Sequence, residues 1–116
     1  MKKESPVWSK LKTLTTSRSG NRAQRYDINV RIMVESEDLS TKLECRSLNI
    51  SRTGIFIEYS GFFWPNWALG LHLHLSIDPD NKFFNEVLKT RAKIQRVMID
   101  NQGNRNQVKF AVRFTD

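Results

Sequence analysis

A chain of 116 residues with 39% hydrophobic content and a formal net charge of +7 has room for one domain and a modest core. No apolar run approaches the roughly 20 residues needed to span a bilayer, and charge interrupts the apolar residues near the start, so neither a membrane span nor a secretory signal is expected and the cytoplasm is the expected compartment. The single cysteine, Cys45, excludes an internal disulfide framework and a cysteine-based metal site.

The basic excess is segregated. Residues 1–25 carry Lys2, Lys3, Lys10, Lys12, Arg18, Arg22 and Arg25 against Glu4 alone, while acidic and basic side chains nearly balance over the rest of the chain. A basic arm of this kind points to an anionic partner. Within it, Ser5 and Pro6 followed by Val7, Trp8, Leu11 and Leu14 fit a short helix over 6–14, with serine as the cap and proline in the first turn. Isolated, so short a helix is marginal in water. Residues 15–21 then read as a polar, flexible connection.

From Tyr26 the period changes to two: Ile28, Val30, Ile32 and Val34 alternate with Asn29, Arg31 and Met33, which describes a half-buried first strand. Further strands are expected over 42–50, 53–59, 69–77, 88–99 and 107–114, the last with Val108, Phe110, Val112 and Phe114 on its apolar face. Turn residues separate them at 37–38, 51–54, 78–81 and 101–104. Six short strands with little helix between them imply an all-β fold, an antiparallel sheet curled into a small barrel. The expected division is a basic arm over 1–21 and a barrel domain over 22–116.

Few residues carry chemistry. There is no glycine-rich phosphate loop, no HExxH or GxSxG motif and no evident pair of carboxylates in an apolar pocket, so an enzyme is disfavoured and no cofactor is expected. His72 and His74 alternate with Leu71, Leu73 and Leu75 and have no third ligand close in sequence, so they describe a strand face better than a metal site. Cys45, inside a strand, reads as a small buried thiol. The aromatic stretch 61–67 (GFFWPNW) either caps one end of the barrel or faces a partner.

The most informative stretch is 48–58, LNISRTGIFIE, where Asn49, Ser51 and Gly54 fall on a tight connection between two strands at the spacing Asn-x-Ser-x-x-Gly. Asn49 and Ser51 can bond local backbone or a ligand. Gly54 permits positive φ or a close approach. An ordinary turn accounts for the same three residues.

Together with the arginine segment before the first strand, the motif and the six-strand pattern, the chain over 18–116 resembles the PilZ domain family, which pairs an RxxxR segment with a [D/N]xSxxG motif on a six-stranded β-barrel. The resemblance implies a noncatalytic receptor for cyclic di-GMP, a bacterial second messenger with two phosphates and two guanines. It further implies an arginine arm that wraps the ligand, often as an intercalated dimer, and a protein effector in motility or pilus control. Apart from the resemblance, nonspecific nucleic-acid binding by the basic arm is the third and least favoured reading, and no specific nucleic acid is expected as partner. Carried over by position, Asn49 and Ser51 would contact guanine or phosphate, Gly54 would let the backbone come close, and Arg25 matches the second family arginine. The register places Asn21 where the family has its first arginine; Arg22, and Arg18 across the flexible Ser19 and Gly20, are the residues expected to stand in. A relative that has lost the nucleotide and binds protein only is the other reading of that departure.

Overall fold

The computed structural model describes residues 25–80, 84–103 and 105–115. Among these, the strands are β1 (Arg25–Tyr26), β2 (Arg31–Ser36), β3 (Lys42–Ser51), β4 (Gly54–Gly61), β5 (His72–Ile77), β6 (Leu88–Gln102) and β7 (Arg105–Phe114). They bond antiparallel in the order β3, β2, β5, β6, β7, β4, and β4 pairs back onto β3. Six strands thus close into a barrel without free edges, and the two-residue β1 is added beside the end of β3. The expected helix over 6–14 and the boundary between 21 and 22 lie outside the described residues, as do Arg18 and Arg22.

The period-two pattern identifies the inward residues correctly. Val34, Ile57, Ile77 and Phe110 are fully buried, together with Leu73, Leu75 and Ile94. Each such side chain contributes about 1.5–3 kcal/mol through the removal of apolar surface from water. Trp64 and Trp67 also belong to the core: Trp64 lies 5.5 Å from the Phe110 ring and meets Trp67 edge-on at 5.7 Å. Of the aromatic stretch, these two cap the barrel, whereas Phe62 and Phe63 are exposed.

Two predicted strands are shortened or broken, while the others run one to three residues longer or shift at their ends. The first is broken, because residues 27–30 leave the ladder between β1 and β2 although Ile28 and Val30 stay buried. Ser47 of β3 bridges this gap: its hydroxyl accepts from the Val30 amide at 3.0 Å and donates to the Ile28 carbonyl, so the departing backbone keeps its partners. The fourth strand begins at His72 and not at 69, because Gly70 adopts φ +89° in a turn that leaves Leu69 exposed.

The turn from β2 to β3 is organised by Asp38. One of its carboxylate oxygens accepts from the Ser40 hydroxyl at 2.7 Å, from the Ser36 hydroxyl at 2.7 Å and from the Ser40 amide at 2.9 Å. These bonds, those of Ser40 first, hold the Asp38 carboxyl down at about 2 against an ordinary 3.8. A folded value below the unfolded one means that this support is complete above about 3.8 and is lost as the pH falls through about 2. In an acid titration followed by carboxyl NMR, Asp38 should be among the last side chains to protonate, and the Ser40 amide shift should follow it. A midpoint near 4 would contradict the bonded turn.

Candidate functional site

Two β-bulges shape one outer wall of the barrel. Along β3, Leu43, Cys45 and Ser47 point inward, and the register then slips between Ser47 and Asn49 so that Ile50 is the next buried residue. The extra residue turns Asn49 and Ser51 toward the outer face. On β6, Leu88, Thr90, Ala92 and Ile94 point inward until a second slip between Ile94 and Arg96, after which Gln95 and Arg96 are both exposed.

The two bulges lie at the same level. Asn49 stands opposite Phe56, Phe56 opposite Ala111, and Ala111 opposite Arg96, a row across β3, β4, β7 and β6. One step along, Arg25 pairs with Ser51 and Arg113 with Gly54. These residues line a cleft of about 670 Å³. Four of the six residues expected at the site, Arg25, Asn49, Ser51 and Gly54, are therefore brought together, while Arg18 and Arg22 lie outside the described residues.

The cleft is cationic. Arg25, Arg96 and Arg113 line it, and no carboxylate does so among the described residues. Two arginines elsewhere on the barrel are engaged: Arg31 bonds Asp78 at 2.8 Å with Glu44 at 3.9 Å, and Arg46 donates to the Asn29 side chain at 2.7 Å. Guanidinium groups with no carboxylate partner among the described residues, gathered on one wall, are available to fork onto an anion. Phe56, half-buried in the middle of the row, adds an apolar surface between them.

The three motif residues have distinct local roles. Ser51 builds the turn from β3 to β4: its hydroxyl accepts from the Thr53 amide at 3.3 Å and donates to the Gly54 carbonyl at 3.3 Å. Asn49 is half-buried with its side chain toward the cleft. Gly54 does not take the left-handed conformation, which falls to Gly70 and Gly103 among the glycines. Its missing side chain is instead required by β7, because a Cβ there would overlap the Val112 carbonyl. The close approach that glycine allows is thus to the barrel's own backbone.

Sequence reasoning missed Arg96 and Arg113. Arg113 enters only through the register between β4 and β7, which no local pattern displays. Arg96 left a trace: in Ile94-Gln95-Arg96-Val97 two polar residues interrupt strict alternation, the mark of a bulge.

The model of the PilZ domain family matches residues 18–116. The chain belongs to the PilZ domain family. Among solved structures, this PilZ chain is similar to the inhibitor of motility MotI/DgrA of Bacillus subtilis, with a TM-score of 0.62 and 20% identity over 86% of this chain and 44% of that one. It therefore spans less than half of MotI's length. It is also similar to the PilZ domain of YcgR from Escherichia coli, solved with c-di-GMP, at a TM-score of 0.62 and 12% identity over 83% of this chain and 78% of that one. At these identities the two structures speak for the shared barrel. No curated protein matches the chain. Among the described residues, no helix is long and apolar enough to cross a membrane.

Proposed function

We propose that this PilZ domain is a noncatalytic receptor for cyclic di-GMP, in which the arginine arm closes over a nucleotide seated against Asn49, Ser51 and the β6–β7 wall, and a protein effector responds to the altered surface. The observation that carries this reading is the pairing of Arg25 with Ser51, which roots the arm at the edge of a cleft lined by three guanidinium groups and no described carboxylate. Two phosphates match that charge. Guanidinium groups also bond the acceptor edge of guanine, Asn49 offers both a donor and an acceptor, and the Phe56 ring provides a surface on which a base can stack. Arg18 and Arg22 complete the arm. Membership of the family and the c-di-GMP seen with the YcgR domain support the choice of ligand.

Titration calorimetry of the full chain with cyclic di-GMP tests the proposal. Saturable heat that is reduced in Arg25→Ala supports it, and the absence of heat at tens of micromolar protein refutes it. A second reading, a protein-binding adaptor without nucleotide, is favoured by the exposure of Phe62 and Phe63 at 73% and 63%. Under it, replacing both phenylalanines by serine abolishes effector binding while Arg25→Ala leaves that binding intact. Trp64 is unsuitable for this test because it is part of the core.

A further inference from the structure

A second groove, of about 450 Å³, adjoins the arginine cleft. It runs between the segment from Trp64 to Leu69 and the half of β6 beyond the bulge, and Gln95 and Arg96 form a wall common to both hollows. Its apolar character is pronounced. Leu69 and Ile99 line it while exposed at 68% and 52%, beside the half-buried Val97 and the edges of Trp64 and Trp67. The turn at Gly70 holds Leu69 outward. In β6 the second bulge changes which residues face outward just before this stretch. Apolar side chains gathered in a concave site are the usual mark of a docking surface.

We propose that the apolar face of residues 6–14 of this same chain docks in that groove. Val7, Trp8, Leu11 and Leu14 recur at the spacing of one helical face, with Ser9 opposite them. Nine helical residues extend about 14 Å, and a helix this short needs a surface to be stable. The groove supplies apolar contacts for the large tryptophan and the two leucines.

Chain geometry favours this occupant over an outside partner. The chain leaves the barrel at Arg25, which lines the neighbouring cleft, and residues 15–24 form the tether. As an unstructured chain, ten residues would span about 17 Å on average and at most about 33–36 Å when fully extended. From β1 across β3, β4 and β7 to β6 is four strand spacings, about 19 Å at about 4.8 Å each. A tether of matching length raises the effective concentration of the segment to the millimolar range, so even a weak contact is well populated. The docking itself holds whether or not the cleft takes a nucleotide.

The test uses the full chain with a nitroxide attached at Ser9→Cys. Cys45 does not compete, because it is buried and desolvation pushes its thiol up to about 12. In isotope-labelled protein, the amide signals of Leu69, Val97 and Ile99 should lose at least half their intensity, while those of Asp78 and Lys89, at the far end of β5 and β6, keep theirs. Leu11→Asp with Leu14→Asp should restore the lost signals. Ile99→Asp, at an exposed position that the fold tolerates, should reduce the effect from the other side of the contact. Uniform or absent broadening overturns the proposal. Broadening that persists when the nitroxide and the isotope reside on different chains also overturns it, by assigning the groove to the segment of a second copy.

Discussion

Gly54→Ala is expected to lower the melting temperature of the domain by roughly 12–24 °C. This follows from a loss of about 3 kcal/mol, the upper part of the range for overpacking a well-packed site, at about 4–8 °C per kcal/mol for a domain of this size. The added methyl would lie within the Val112 carbonyl and also crowd the Arg113 Cα, and neither group is the movable end of a side chain. Relief requires β4 to separate from β7 at the position where Gly54 faces Arg113. That pair belongs to one of the ladders that hold the barrel closed. A melting temperature within a few degrees of the parent would show that this ladder opens easily and that the glycine serves another purpose.

Arg96→Ala and Arg25→Ala should each weaken cyclic di-GMP binding about 10- to 150-fold, the equivalent of the 1.5–3 kcal/mol typical of a hydrogen bond to a charged group. Both side chains are exposed, so their removal should change stability by no more than about 0.5 kcal/mol. Binding and stability therefore separate for the arginines and fall together for Gly54. Arg96→Lys is informative as well, because it keeps the charge but removes the planar fork. If lysine restores full affinity, the ligand senses charge alone. If Arg96→Ala binds as tightly as the parent, the β6 wall lies outside the site.

The strands and their inward faces were legible because period-two burial is a local signal that survives in any antiparallel barrel, whereas their order in the sheet is not local and was not read. The alternation of Ile28 and Val30 was correct about burial and silent about pairing, since a hydroxyl from Ser47 replaces the ladder across that gap. At Leu69 alternation misled, because a left-handed glycine ends the pattern one residue later. The lining of the cleft was legible where its residues are neighbours in sequence, as with Asn49, Ser51 and Gly54. It was incomplete where they meet across strands, as with Arg96 and Arg113. Gly54 illustrates the limit of reading residue types alone: the glycine was marked as permissive, and only the proximity of β7 shows what it permits.

The bulges in β3 and β6 bear on how readily this site can be gained or lost. Each adds a single residue and then resumes the alternation, so removing Leu48 or Gln95 would leave every downstream side chain on the face it now occupies. Two one-residue deletions would convert the contoured wall into a regular one around an unchanged core. The scaffold and the wall of the cleft are thus separable at the level of chain length, and a lineage can discard or acquire the hollow without rebuilding the barrel.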